Sequence, residues 1–204
     1  MPWRNRVTPF GDIVAVAARG TLMGNRGVLH NAERSIVRDS QVKRWIACRL
    51  EFRGRHRVVM TPGRWTELFF LDEATALAAG HRPCAECRNA DYRAFQSAWR
   101  RAFPDADAAA DAMDLVLHKE RRIRPWVKRL HHANADDLPD GAFVTLEGKA
   151  WLVRGDRLLE WTPDGYVSGR ERPRNTQLSL LTPPSIVAVL YAGYVAGIYP
   201  GVTD

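Results

Sequence analysis

The sequence predicts an α+β protein in which a small zinc-knuckle core of short strands and helices is followed by a β-meander and a C-terminal helix. Up to residue 135, short apolar segments typical of strands are interspersed with amphipathic helical segments. Beyond that point, strand-like segments follow one another between glycine turns. The 204 residues, 46% of them hydrophobic, suffice for one domain with a small appendage.

Short strands are expected in the first region. Residues 13–17 are uniformly apolar, which is typical of a buried strand. Residues 45–52 and 58–60 are interpreted as a strand pair joined through Gly54, and another strand is predicted over residues 65–70. The glycine-punctuated residues 20–27 predict a loop.

Three helices are expected between the strands and residue 120. Asp72 is a good N-cap and Gly80 a good terminator, which predicts a two-turn helix over residues 73–79. Residues 91–103 carry large aromatic side chains near one face and arginines on the other, as an amphipathic helix does. Residues 107–120 are alanine-rich with early acidic residues, which the helix dipole favours.

After residue 135 the sequence pattern changes from mixed helices and strands to successive short strands. We therefore predict two domains, residues 1–135 and 136–204. Three short strands are expected between residues 143 and 161, separated by turns at Gly148 and Gly155. Thr182 and the prolines after it indicate a final helix near residues 184–192.

The composition predicts a cytoplasmic protein without a membrane partner. The N-terminus has no apolar segment of the kind found in secretory signals. No apolar run approaches the roughly 20 residues that span a bilayer. Three cysteines are an odd number, which argues against a disulfide framework.

The charge balance favours a polyanionic partner. Thirty Lys and Arg stand against 23 Asp and Glu, for a formal net charge of +7. We therefore predict nucleic-acid binding, with DNA preferred. The candidate contacts form one group around the cysteine pair and a second in a basic run with an interleaved tryptophan: Arg82, Arg88 and Arg93, then Arg121, Arg122, Arg124, Trp126, Lys128 and Arg129.

The cysteines predict a zinc site. Cys84 and Cys87 have the C-x-x-C spacing that supplies two ligands from one tight turn, and Cys48 is the third candidate. Zinc prefers four ligands, so the fourth would be a histidine, a carboxylate or water. The sequence does not distinguish among the three candidate histidines, His30, His56 and His118.

Residues 70–88 closely resemble the second half of the zinc domain of the Ada DNA-repair methyltransferases. That family carries an aromatic strand, an alanine-rich helix ending in glycine, and then an RPCxxCR motif. Here these are residues 69–70, the helix up to Gly80, and residues 82–88. Residues 45–49 resemble the strand that carries the family's first cysteine, so the likeness covers segment 45–88.

The resemblance implies a role for Cys48 as zinc ligand and as methyl acceptor from DNA phosphotriesters, and thus a link to DNA repair. The family has a second upstream cysteine four residues after the first, where this chain has Phe52. One of the four cysteines is therefore missing. A histidine replaces it, the site is open, or the metal has been lost.

Several other chemistries remain open. Arg49 and a bound metal would favour a reactive thiolate at Cys48. A hydrolytic site would pair metal-bound water with Glu86 or Glu120 as general base. His118 and Glu120 match the H-x-E element of zinc deaminases, but they follow the cysteine pair instead of preceding it.

Two further alternatives concern the partner. Zinc alone could hold together a non-catalytic module that binds RNA or an acidic protein. Alternatively, a metal- or thiol-dependent enzyme would act on a phosphate-containing substrate or another small anionic metabolite. In that case the backbone N–H groups of the predicted loop over residues 20–27 would hold the anion.

Overall fold

A computed structural model describes residues 1–54 and 58–200. Within these residues the chain forms two six-stranded sheets, a two-stranded ribbon and four α-helices. This mixture of helices and strands confirms the predicted α+β class. In the part of the chain so described, no helix combines the length and apolarity needed to cross a bilayer.

The first sheet contains six short strands in the order β2-β1-β5-β3-β4-β6. Their bounds are Arg4–Val7 (β1), Ile13–Ala15 (β2), Leu22–Asn25 (β3), Ile46–Arg49 (β4), Leu68–Phe70 (β5) and Arg82–Pro83 (β6). β3 is antiparallel to both of its neighbours, β4 and β5. β6 lies parallel to β4, so two distant segments run side by side at this edge.

The first helix packs against one face of this sheet. α1 spans Glu73–Ala78, and the carboxylate of Asp72 caps it by accepting from the Thr75 N–H at 2.8 Å. Gly80 follows with φ +89°, a left-handed conformation that ends the helix at little cost for glycine. Ala76 of α1 and Ala79, which follows the helix, pack with Leu68 and Phe70 of β5 in a compact cluster.

The other three helices belong to the main core. α2 spans Asn89–Ala102, α3 spans Ala110–Arg121 and α4 spans Pro184–Tyr191. The aromatic face expected for α2 packs against α4 and is buried in the core that also contains the second sheet. The predicted helices are thus present, with ends shifted by a few residues.

The second sheet confirms and extends the predicted meander. Its strands are His131–Asn134 (β9), Phe143–Leu146 (β10), Lys149–Arg154 (β11), Arg157–Thr162 (β12), Gly165–Glu171 (β13) and Gln177–Leu180 (β14). β10 to β13 pair antiparallel in sequence order, and β14 joins β10 to β9. A ribbon of β7 (Arg122–Arg124) and β8 (Val127–Lys128) connects α3 to this sheet.

The proposed division at residue 135 falls just after β9, the edge strand of the second sheet. The main core contains side chains from both sides of this position, including Phe95 and Trp99 of α2 with Phe143 and Leu152 of the meander. The division into domains 1–135 and 136–204 stays a prediction.

Two local expectations were wrong. Residues 20–27, expected to be a loop, include β3, which lies between β4 and β5. A Cβ on Gly24 would lie 2.1 Å from the Ile46 carbonyl oxygen, so glycine here permits close strand contact instead of a turn. Residues 58–60 form no strand, and β4 pairs instead with β3 and β6.

Candidate metal centre

The open face of the first sheet brings the three cysteines together. In the pairing of β3 with β4, Cys48 lies opposite Met23, and Met23 in turn lies opposite Phe69 of β5. The parallel pairing of β4 with β6 places Ala47 beside Pro83, so that Cys84 follows next to Cys48. Sheet register therefore joins residues that are 36 positions apart in the sequence.

The three thiols have the spacing that a single metal ion needs. The Sγ atoms of Cys48, Cys84 and Cys87 all lie within 4.8 Å of one another. Zn–S bonds of about 2.3 Å in a tetrahedron place sulfurs roughly 3.8 Å apart, so small side-chain adjustments suffice. The residues are 8%, 8% and 9% exposed. The structure thus shows a group of three cysteines that could hold a metal ion.

Backbone N–H groups point at the sulfurs, as the C-x-x-C turn requires. The Arg49 N–H donates to Cys87 Sγ at 3.4 Å. The pKa of Cys84 is lowered to about 5, first because the Cys48 thiol donates a hydrogen bond to it, and also through the backbone N–H groups of Cys87 and Glu86. In this arrangement Cys84 is the thiolate.

The other two thiols hold their protons more tightly. The pKa of Cys48 is raised, chiefly because its thiol donates to Cys84 and because it is buried. The pKa of Cys87 is raised by burial. Cys48 is thus not an activated thiolate before a metal binds, and its reactivity would depend on the metal replacing its proton.

A cavity of about 390 Å³ opens beside the cysteines. Aromatic and thioether side chains line it, together with a few polar groups: Met23, Phe52, Trp65 and Phe69, then Asn25, Arg49, Glu51, Glu67 and Glu86. Glu67 is 4% exposed, and its Oε2 accepts from the Met60 N–H at 2.8 Å. Such a cavity has the mixed apolar and polar lining typical of small-molecule sites.

The structure places two of the three histidines that were proposed as the fourth ligand. Both ring nitrogens of His30 are engaged, Nδ1 with Thr66 Oγ1 at 2.6 Å and Nε2 with the Thr61 carbonyl at 3.1 Å. His118 is exposed on α3, and His56 lies outside the described residues. Among the residues the structure describes, the metal-ligating group consists of the three cysteines.

Phe52 and one of the two candidate general bases lie beside the cysteines. Phe52, at the position of the missing cysteine, packs against the cluster formed by Met23 and the three cysteines. Glu86 lines the cavity. Glu120 does not, and its carboxylate instead accepts from Ser185 Oγ at 2.7 Å at the start of α4. His118 and Glu120 are thus not part of the cysteine group.

The first group of candidate nucleic-acid contacts is mostly internal. Arg82 is 2% exposed and makes a bidentate pair with Asp114, at 3.1 and 2.7 Å. Arg88 is 6% exposed and donates to Glu73 and Asp91. As positioned, these two side chains do not reach an external polyanion.

The second group is divided between interior and surface. Arg121 is 1% exposed, and Arg122 and Lys128 donate to the carbonyls of Gly11 and Ala78. Arg129 is partly buried in the short connection between β8 and β9. The exposed candidates lie on α2 and at the ribbon tip: Arg93, Arg124 and Trp126.

Sequence reasoning missed four of the residues that line the cavity, Met23, Trp65, Glu67 and Phe69. Met23 lay in a segment interpreted as a loop, and Trp65 and Phe69 were assigned to a strand without a facing partner. Glu67 alternates with Phe69 along the chain, which places both on the same side of the extended β5 segment. That alternation was the one available signal.

Comparison with known proteins adds no family to this picture. No protein-family model matches the chain, and no curated protein or solved structure does either. The resemblance of segment 45–88 to the Ada zinc domain therefore depends on the motif residues alone.

Proposed function

We propose that this protein binds Zn²⁺ through Cys48, Cys84 and Cys87 and keeps the fourth coordination position open to the adjoining cavity. The observation that carries the proposal is the placement of three Sγ atoms, within 4.8 Å of one another, beside a cavity of about 390 Å³. Structural zinc sites are usually closed by four protein ligands, whereas catalytic sites keep one position for water or substrate.

The donor set favours zinc among common metals. Three thiolates are soft ligands, which disfavours magnesium and calcium. The hydrogen bond from the Arg49 N–H to Cys87 and the N–H groups at Cys84 stabilise negative charge on sulfur. Two of the three thiols must still lose protons, so metal binding is expected to release protons.

The cavity residues supply what a bound ligand would contact. Zn²⁺, when bound, supplies Lewis acidity at the open position. Glu67 is held by the Met60 N–H, and its carboxylate can accept a proton or a hydrogen bond from a ligand in the cavity. The aromatic rings of Phe52, Trp65 and Phe69 exclude water and favour a ligand with an apolar part.

The metal content of purified protein tests this proposal. Mass spectrometry should find about one zinc per chain in the wild type and in a Glu67→Gln control, which changes the cavity but no ligand. Cys84→Ser and Cys48→Ser should each lower zinc occupancy strongly, with circular dichroism verifying that the variants are folded.

A His56→Ala variant distinguishes an open site from a closed one. Full zinc occupancy with unchanged affinity is the expected result. A loss of zinc equal to that of Cys84→Ser would show that His56 closes the site, and the open-site proposal would be wrong. Wild-type protein without zinc would contradict the metal proposal as a whole.

Nucleic-acid binding, with DNA preferred, is a second candidate function that the exposed ribbon tip favours. Arg124 and Trp126 are exposed there. The backbone N–H of Trp126 donates to the Asp39 carboxylate at 3.0 Å, which holds the turn in place. A cation beside an exposed aromatic ring suits a phosphate backbone and an unstacked base. Such a contact could act in DNA repair, as the Ada likeness implies.

Fluorescence anisotropy with single- and double-stranded DNA and with RNA tests this function. Arg124→Gln should weaken binding and reduce the slope of log affinity against log salt by about one unit. Arg100→Gln, an exposed residue of α2, is the matched control. Binding that is independent of salt, or absent at low salt, would refute the function.

A further inference from the structure

Four cationic side chains, two of them fully buried and two partly buried, lie close together. This cationic cluster consists of Arg26, Arg121, Arg122 and Lys128. Arg26 follows β3 and is 0% exposed, and Arg121 at the end of α3 is 1% exposed. Their guanidinium carbons lie 4.0 and 4.7 Å from the ring centroid of Trp45, so both pack on the same indole.

Two members of the cluster have neutral partners. Arg26 donates through Nε to His81 Nε2 at 3.2 Å and through one terminal nitrogen to the Gly11 carbonyl at 3.0 Å. Lys128 donates to the Ala78 carbonyl. Within residues 1–54 and 58–200, neither Arg26 nor Lys128 forms an ion pair with a carboxylate.

The buried carboxylates near the other two members, Asp114 and Asp39, are already shared. Asp114 lies 3.7 Å from Arg121, but it makes its close bidentate pair with Arg82. Asp39 lies 3.7 Å from Arg122 and also accepts from the backbone of the ribbon. Positive charge therefore exceeds negative charge in a buried region, an arrangement that is costly without a counterion.

The arginine donors converge on one turn. Arg26 and Arg122 both donate to the Gly11 carbonyl, at 3.0 and 2.8 Å. Each has a further terminal nitrogen that is buried without a hydrogen-bond partner among the described residues. The Thr8 hydroxyl is likewise buried without one. Thr8 belongs to the same turn, since the Gly11 N–H donates to its carbonyl at 2.8 Å.

His81 does not reduce the positive charge. Its Nε2 accepts from Arg26, so the ring is neutral and carries its proton on Nδ1, for which the described part of the chain provides no partner. Burial, followed by the charges of Arg26 and Arg121, lowers the pKa of His81. Burial and the neighbouring arginines likewise lower the pKa of Lys128.

We propose that the cationic cluster holds a small inorganic oxyanion, of the phosphate or sulfate class, between Arg26, Arg122 and the turn that contains Thr8 and Gly11. Guanidinium forks bind oxyanions through paired, charge-assisted hydrogen bonds, and the unpartnered donors at this turn are of the required kind. Because these donors are enclosed, the site takes a free ion and excludes a phosphate group attached to a larger molecule.

Thermal unfolding of the full-length, metal-replete protein tests the proposal. Sodium phosphate is titrated at constant ionic strength, with sodium chloride as balance, and a saturable rise in Tm is expected. Glycerol 3-phosphate should give no such rise. Arg122→Gln should raise the phosphate concentration at half-saturation about tenfold or more, because one charge-assisted contact is lost. Arg100→Gln should behave as the wild type.

Ion chromatography of acid-denatured protein keeps the test independent of the variants. Protein dialysed only against chloride should release phosphate or sulfate if the ion is retained, or show the saturable Tm rise if it is not. Equal Tm values in phosphate and chloride, with no oxyanion released, would overturn the proposal. An equal rise with glycerol 3-phosphate would overturn the enclosed site. Zinc content is kept constant, so neither result depends on the metal proposal.

Discussion

The ion pair between Arg82 and Asp114 gives the sharpest test of whether Arg82, which precedes the cysteine knuckle, stabilises the fold as a buried ion-pair partner. Arg82 donates twice to the Asp114 carboxylate, at 3.1 and 2.7 Å, and the side chains are only 2% and 4% exposed. Arg82→Met keeps the length and apolar bulk of the side chain but leaves Asp114 with Arg121, 3.7 Å away, as its nearest cation.

We expect Arg82→Met to lower the free energy of unfolding by about 3–5 kcal/mol, the usual cost of leaving a buried charge without its partner. Urea unfolding at neutral pH measures this loss. The double variant Arg82→Met/Asp114→Leu removes both charges and should recover most of the stability. Arg100→Met, an exposed change on α2, should alter stability by less than about 0.5 kcal/mol.

Two outcomes would refute this reasoning. A loss below about 1 kcal/mol for Arg82→Met would place the pair in the range of exposed ion pairs. A double variant no more stable than Arg82→Met would show that the unpaired carboxylate is not the source of the loss. Either outcome would return Arg82 to consideration as an external contact.

Further predictions concern the strand contact at Gly24 and the buried histidine. Gly24→Ala should cost at least about 2 kcal/mol in urea unfolding, because its Cβ would lie 2.1 Å from the Ile46 carbonyl oxygen. Gly148→Ala places a Cβ that meets no described atom within 4 Å, so it should cost only the strain of its left-handed turn, about 1 kcal/mol. Equal losses in the two variants would contradict the clash at Gly24. Burial lowers the pKa of His81 in the folded protein. Below about pH 6.5 the unfolded chain therefore binds more protons than the folded one, and the free energy of unfolding decreases as the pH is lowered. At pH 5.5 this loss should be about 1.4 kcal/mol larger in the wild type than in His81→Gln, and parallel pH profiles would refute it.

Local sequence patterns predicted much of the fold because their physics is local. Asp72 caps α1 and Gly80 ends it through contacts within a few residues. The turns at Gly148 and Gly155 also depend on a few neighbouring residues, and the strands of the meander pair in sequence order across these turns. The cysteine pair was identified by spacing alone.

No local pattern distinguished the buried arginines from the exposed ones. In the sequence, Arg82 and Arg121 were indistinguishable from exposed basic residues such as Arg93. Their burial is decided by Asp114 and by backbone carbonyls that long-range packing brings within hydrogen-bond distance. The predicted basic surface was therefore reduced to its few exposed members.

The sequence by itself determined the helices, the meander and the knuckle, because each of these depends on residues near one another in the chain. It also determined the excess of positive charge, which depends on composition alone. Tertiary structure decided which residues meet. Pairing of β4 with β6 brings Cys48 to Cys84, and the close contact permitted by Gly24 aligns β3 beside β4. These choices depend on packing energies between distant segments, which no local pattern encodes.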